Sequence, residues 1–494
     1  MTLTGDQEIK LSSAHQRCKC RIVAFDTLAA VNLGEVSTGA YTFKDMVNIH
    51  PRYSWCEHSA TIRLYATDSQ QRASKVAATG HTFSLVSGSG SIVDNGNGTC
   101  DYTAPASGAG VAYIKCVTDG NADPGGTAGV AYGTESLNVG EIVGFSASLS
   151  SGFWELTVRA YGDCTGLERQ KGVLLCCDDY WSGSEDTFGG YVYHNGVMFG
   201  WVDRMRTVYQ DSDNAYLEVR IVSALEIMNK GSTPDCLFSA SDTSKVQVTG
   251  FEAIDAAWIF IQNSGLNSQV NFHFMDDGNT VTNLKLEKGP FTDVIRDVVA
   301  RTFGVVFSSK LGDVYLVGDP DVRNADFSVA GINVSEHFQV DEKMIRSSSM
   351  TYHKVTNLET PSDATVRNVL LEAIKSNLDN ITASWPETPQ SGLSETVSGL
   401  ICESENVLQD WATDYWWKVN RHLEADLEYF LMHHVDLGTF LGWDLAIRAA
   451  DLSNYDWYGD FTRVYVSDIN YTVEPGMGLW SGSVHVLSYY DIGS

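Results

Sequence analysis

Between Leu286 and Tyr352 the chain encodes a short helix that must stop abruptly and hand over to two strands. Phe291, Val294, Ile295, Val298 and Val299 recur at spacings of three and four, which predicts one apolar helical face. Pro290 suits the first turn of such a helix and Gly304 its C-terminal cap. Val305-Val306-Phe307 and Val314-Tyr315-Leu316-Val317 then read as strands, joined by the turn Ser308-Ser309-Lys310-Leu311-Gly312. No ionisable pair or nucleophile stands out in this stretch. It reads as a packing module whose Phe291/Ile295/Val299 face is buried, and its neighbours must supply the function.

Those neighbours are mostly strands. Arg21-Ile22-Val23-Ala24-Phe25, Tyr53-Ser54-Trp55 and Thr61-Ile62-Arg63-Leu64-Tyr65 have strand character within residues 1–75, a β-rich portion that is otherwise hard to divide. From residue 76 to 140, strand-like runs alternate with Gly, Asn and Asp turns at intervals of ~8–12 residues, the pattern of a sandwich. Cys100 and Cys116 would face each other there on neighbouring strands, a disulfide candidate in an oxidising medium. Residues 141–240 hold the alternating run from Trp154 to Ala160 and the apolar run from Gly172 to Cys177. They also hold an expected hairpin of Tyr191–His194 with Val197–Val202 around Asn195-Gly196, and the strand Tyr216–Val222. Five such strands predict a small antiparallel barrel.

A second helix is expected around Ala253–Gln262, within an α+β module spanning 241–355. Residues 356–402 carry Pro361, Pro386 and Pro389 and read as an irregular excursion. Glu403–Asn420 reads as a helix with Val407, Leu408, Trp411, Ala412, Tyr415 and Val419 on one face. Strands at Leu423–Leu431, Leu445–Ile447, Arg463–Val473 and Ser483–Tyr489 make a second barrel the expectation for 403–494. The fold class is therefore mainly β with α+β insertions: a multidomain chain in which two small antiparallel β-barrels flank an α+β module, with a β-sandwich before them. A length of 494 residues suits three or four domains at ~100–200 residues each.

The residues from Gly90 to Gly98, followed by Tyr102-Thr103-Ala104-Pro105, resemble the core of bacterial Ig-like domains, which decorate surface and phage virion proteins. The larger order resembles the tail-hub and tail-tip proteins of tailed phages and related injection machines. Phe291 to Gly304 followed by Ser309 to Leu316 is similar to their recurring helix, strand and glycine-led strand. Trp154–Leu175 with Gly196–Ile221 is similar to their first barrel, and Ile345–Asn357 to the return toward the second. Arg421–Gly442, with Asp436-Leu437-Gly438, is similar to a strand and turn of the second barrel. The resemblance covers about two-thirds of the chain. It implies a non-enzymatic structural component of a phage-like tail, forming an oligomeric ring, with a homotrimer the expected state. Such a ring would adapt the tail tube to the host-recognition tip and line the DNA conduit. Implied partners are further copies of the chain, tube or distal tail ring proteins, and tip or fibre proteins, with host surface glycans facing the Ig-like insertion. The implied location is the virion tail tip, after assembly in the host cytoplasm. The alternative reading is an Ig-like surface adhesin or carbohydrate-binding protein, and a glycan hydrolase is a third.

Charge sorts partners further. With 62 acidic against 33 basic residues the formal net charge is −29, which argues against gripping nucleic acid or an anionic membrane. Like charge also suppresses sticking in a channel through which DNA slides. No apolar run is long enough to span a bilayer, and the first residues lack a signal-peptide pattern, so neither membrane insertion nor secretion is expected.

The chemistry-bearing candidates are few. Cys18, Cys20, Cys56 and His58 form two close ligand pairs, with His15 and His50 nearby, and strands would put each pair on one face. They are the candidate structural zinc set; ordinary buried thiols are the commoner outcome of such spacing. Cys164, Cys176 and Cys177 lack iron–sulfur spacing. Asp178-Asp179 and Asp276-Asp277 sit beside turn residues, and His433-His434-Val435-Asp436 reads as a solvated strand end. The stretch Asp94–Asp101 lacks the spacing of a calcium loop. Trp411, Tyr415, Trp416 and Trp417 read as core or interface packing ahead of a sugar-stacking platform. No catalytic residue and no organic cofactor site is assigned.

Overall fold

The computed structural model describes residues 20–26, 36–41, 47–68, 80–118, 126–133, 141–150, 152–161, 167–177, 186–188, 191–193, 196–209, 215–250, 252–275, 280, 283–317, 328–329, 332–333, 338–339, 345–354, 367–375, 379–388, 392–429, 440–442, 463–474 and 479–489. Cys18, His15, Cys164, both Asp-Asp pairs, the expected strand Leu445–Ile447 and the His433–Asp436 run lie outside them.

After β1 (Cys20–Phe25) and β2 (Gly39–Ala40) come the eight strands of a sandwich: β3 (Val47–His50), β4 (Tyr53–Cys56), β5 (Thr61–Asp68), β6 (His81–Ser87), β7 (Ser91–Asp94), β8 (Thr99–Thr103), β9 (Gly110–Thr118) and β10 (Gly126–Tyr132). One sheet has the order β3-β5-β8-β7, the other β4-β10-β9-β6. Ile49, Leu64, Tyr102, Ile114 and Val130 are among the side chains buried between them. Because β3 and β5 build half of one sheet, the sandwich starts at Val47 and not near residue 76. Cys100 and Cys116 belong to opposite sheets and are buried, unbridged thiols, so the expected bridge does not form. Residues 1–75 are thus no module of their own: β1, β2, β4 and the pair β3/β5 join four different sheets.

Next come β11 (Glu141–Ser150), β12 (Phe153–Tyr161), β13 (Gly172–Cys177), β14 (Asp186–Phe188), β15 (Tyr191–Tyr193), β16 (Gly196–Tyr209) and β17 (Ala215–Val222). Trp154, Leu156, Val158 and Ala160 of β12 are buried on one face, as their alternation requires. The hairpin expected at Asn195-Gly196 is not a ladder: β15 pairs with β14, while β16 pairs with β13 and β17.

The α+β unit follows with α1 (Ala224–Met228), β18 (Ser232–Thr233), β19 (Cys236–Ser239), β20 (Val246–Gln247), α2 (Ala253–Ser264), β21 (Phe272–Met275), β22 (Asn283–Leu286), β23 (Gly289–Pro290), α3 (Phe291–Ala300), β24 (Val305–Ser308) and β25 (Val314–Val317). Helix α2 is closed by a Glu252/Asp255 capping box and is buried from Ala253 through Ile261, apart from Asp255. Helix α3 buries Phe291, Ile295, Val298 and Val299, as its periodicity predicts. The left-handed residue after it is Phe303 (φ 58°), not Gly304, whose N–H donates to Val299 O at 2.9 Å. Phe303 accepts that conformation where its ring packs edge-on to Trp411 and stacks on Tyr415.

The remaining elements are β26 (Ser328–Val329), β27 (Ile332–Asn333), β28 (Phe338–Gln339), β29 (Ile345–Lys354), β30 (Arg367–Ile374), β31 (Asn380–Trp385), β32 (Leu393–Ile401), α4 (Glu405–Asn420), β33 (Arg421–Tyr429), β34 (Phe440–Gly442), β35 (Arg463–Glu474) and β36 (Leu479–Tyr489). The expected irregular excursion is instead a folded unit. β31-β30-β32 form a sheet under α4, with Val369, Leu371, Leu408, Trp411 and Trp416 in a common core. Its proline-containing turns hid strands whose buried residues alternate: Val369, Leu371 and Ala373 point to the helix.

The two barrels expected as separate bodies are parts of one 12-stranded sheet. Its main path runs β1-β13-β16-β17-β12-β11-β35-β36-β33-β29, joined in the middle by the antiparallel pair β11/β35 from Phe145/Val473 to Ser150/Asp468. Among the described residues β1 pairs only with β13, and β29 only with β33. The fold is mainly β and multidomain, with α+β material between the halves of the large sheet.

Candidate functional site

Polar chemistry gathers where the sandwich meets the α+β unit. Strand β3 ends at His50, β21 carries His273, and the turn between β24 and β25 ends at Asp313. That turn is fixed by Ser309 N donating to Asp313 O at 2.8 Å, Asp313 N donating to Ser309 Oγ at 3.0 Å, and Gly312 at φ 91°. His273 reaches Asp313 because β21 pairs with β25 in parallel, so residues 273 and 315 are register partners. His50 arrives from the other body. Asn48 imitates a strand there, accepting from Phe272 N at 3.0 Å and donating to Phe272 O at 2.7 Å. Asn271 does the same from the opposite side, accepting from Ile49 N at 3.1 Å and donating to Ile49 O at 2.9 Å.

At the centre, His273 Nε2 lies 3.0 Å and His50 Nδ1 3.6 Å from Asp313 Oδ2. Asn271 Nδ2 donates to Asp313 Oδ1 at 3.0 Å, and the Tyr315 hydroxyl lies 3.4 Å from Oδ2. Both imidazoles are walled by phenols: His50 stacks on Tyr65 and His273 on Tyr315. Among the described residues this is the one group of three or more His, Cys, Asp or Glu side chains close enough to share an ion, with ligand atoms within 4.8 Å of one another.

Electrostatics fix the protonation states. Burial pushes His50 down to about 3, more than the nearby Asp313 charge can offset, so its imidazole is neutral at ordinary pH. For Asp313 burial alone would raise the carboxyl pKa. The His273 hydrogen bond, the electrostatic pull of the neighbouring His50 and His273 and the Asn271 amide outweigh it and hold the group below the usual carboxylate range. A third polar element closes the site: Arg52, buried, donates to Asn271 Oδ1 and to Asn267 O, both at 2.9 Å. Gly126 makes room for it, since a Cβ there would stand 2.5 Å from Val47 O and 3.0 Å from Arg52 Nη1.

The sequence-based zinc set is placed differently. Cys56 is a free thiol in the sandwich core, and its burial pushes it up to about 12. His58 is exposed on the following turn, with Nε2 2.5 Å from Gly108 O. Cys20 begins β1, opposite Cys177. The structure thus sets Cys56 inside the sandwich and His58 at its surface. His50 stood near that set in the sequence, but its partners are more than 200 positions away, and only pairing across two bodies brings them in.

No protein-family model matches the chain, and no curated protein matches it in sequence. Solved structures do resemble it. A tail protein from Neisseria meningitidis MC58 is similar with a TM-score of 0.41 and 11% identity, over 71% of this chain and 92% of that one. The E. coli c3393 protein, described as a type VI secretion component with structural similarity to the T4 tail proteins gp27 and gp5, gives 0.40 and 6%, over 71% and 74%. The Francisella PdpA-VgrG complex gives 0.41 and 11%, over 72% and 55%.

Proposed function

We propose that the chain is a structural, non-enzymatic subunit of a phage-like tail, assembling as a ring, as a homotrimer, at the tail tip. The observation that carries this reading is the large sheet. Two β-halves are welded at β11/β35, and the path ends in two strands, β1 and β29, each paired on one side only among the described residues. Strands paired on one side invite head-to-tail pairing between copies, and such pairing closes into a ring when the rotation per copy divides a full turn. Two β-halves per subunit then give a threefold ring six similar positions, the match to a sixfold tube that the tail-hub resemblance implies. The net charge of −29 suits a wall along which DNA passes without adhering. The sandwich, inserted between β1 and β11, is the outward element in this reading, available to tail-fibre proteins or host glycans.

The test is the oligomeric state of the full chain. Mass photometry and negative-stain imaging should show threefold rings, and β1 and β29 should become protected from hydrogen exchange on assembly. A chain that stays monomeric at tens of micromolar in ~0.5 M salt, where repulsion is screened, sinks the proposal.

A further inference from the structure

We propose that His50, His273 and Asp313 form a binding site for a divalent metal of the zinc class, stapling the sandwich to the α+β unit. The spacing supports this first. A tetrahedral ion with ligands at about 2.0–2.2 Å needs donor atoms roughly 3.3–3.6 Å apart. Asp313 Oδ2 stands 3.6 Å from His50 Nδ1, within that range, and 3.0 Å from His273 Nε2, a hydrogen-bond distance that would have to open slightly around an ion; all three ligand atoms lie within 4.8 Å of one another.

His50 supplies the second, independent observation. Its ring is 3% exposed, yet neither nitrogen has a short partner: Nε2 lies 3.4 Å from Thr67 Oγ1, and Nδ1 lies 3.4 Å from Asn271 Nδ2. The 3.6 Å to Asp313 is too long for a hydrogen bond. Asn271 cannot satisfy Nδ1 well either, because its amide already donates to Ile49 O and Asp313 Oδ1 at 2.9 and 3.0 Å. A buried imidazole nitrogen with only long contacts therefore stands 3.6 Å from a carboxylate oxygen, a separation that a cation held between them would bridge.

The surrounding shell is built as metal shells are. Asn271 holds the non-ligating oxygen of Asp313, Thr67 sits at the far nitrogen of His50, and Tyr65 and Tyr315 fix the planes of the rings. His273 is partly exposed, with a side-chain relative accessibility of 16%, which gives an ion a side from which to approach. Two histidines and a carboxylate favour zinc or cobalt over calcium or magnesium, which prefer all-oxygen shells.

The experiment loads the full chain, stripped with chelator, with Zn²⁺ and separately with Co²⁺. Expected are one zinc per chain by elemental analysis, and a visible cobalt spectrum of tetrahedral type without a thiolate charge-transfer band. Stoichiometric zinc should persist in C56S and H58A and be lost in H273Q, with H273Q keeping the wild-type circular dichroism. The cobalt spectrum of the unsubstituted chain decides the matter should H273Q not fold. Absence of stoichiometric metal, a thiolate band, or zinc retained by folded H273Q each overturns the proposal.

Discussion

At Gly200 the chain tolerates no side chain. A Cβ there would stand 2.5 Å from Val222 O and run into the Trp154 ring, because β16 and β12 both press on β17 at that point. Gly200→Ala is expected to cost about 2–3 kcal/mol by overpacking, read as a lower urea midpoint of the full chain. Asn48 illustrates the opposite case, a polar side chain that could not be spared. Its amide satisfies both backbone groups of Phe272 in a buried seam, so Asn48→Ala strands a donor and an acceptor at once. About 2–3 kcal/mol of destabilisation is expected, with earlier proteolytic nicking between sandwich and α+β unit. Asp101 gives a pH-dependent term. Arg63 grips its carboxylate at 2.6 and 2.8 Å across the β5/β8 ladder and holds the carboxyl below the usual range. A depressed acid contributes stability above the unfolded value of about 3.9 and loses it as pH falls through the folded value. Arg63 is half exposed, so the term is at most about 1 kcal/mol. Asp101→Asn should therefore speed hydrogen exchange in β5 and β8 at pH 6, with the difference from the unsubstituted chain shrinking as pH falls.

Helix α3 is the element whose sequence and packing agree best. Three-and-four spacing places Phe291, Ile295, Val298 and Val299 against the core that also holds α2, while Asp293 and Asp297 face solvent. Ile295→Ala should cost about 2–5 kcal/mol in a denaturant titration of the full chain, and Asp297→Ala under about 0.5. The turn that follows β24 shows no ionisable pair in the sequence. Asp313 looks like a turn residue in sequence, and only the parallel pairing of β21 with β25 sets it against His273. The unit of β30–β32 with α4 was unreadable for a related reason. Prolines and polar residues dominate its connections, and β30 takes its partners from both directions, antiparallel to β31 and parallel to β32.

On the scale of the whole molecule, the 12-stranded sheet and the acidic surface act against each other. Edge strands favour association, whereas a charge of −29 per chain opposes it. Screening shortens from about 10 Å at 0.1 M to about 3 Å at 1 M salt. Assembly of the proposed ring should accordingly strengthen with salt, the reverse of a nucleic-acid binder, and light scattering between low and high salt measures the sign directly. A ring that dissociates as salt rises would mean that attractive charge pairs, and not strand edges, hold it.

Local order was set by sequence alone. The apolar period of α3 and α4, the strict alternation of β12 and the buried run of β13 each follow from a pattern repeated within a few residues, and such patterns decide which face leaves water. Which strands become neighbours was decided elsewhere. The first 75 residues feed four sheets, β11 finds β35 across more than 300 positions, and His50 meets Asp313 through the Asn48 and Asn271 contacts. Backbone hydrogen bonding is the same for every strand and carries no address. The choice among partners rests on which apolar faces can be buried together once, and that is a property of the assembled core.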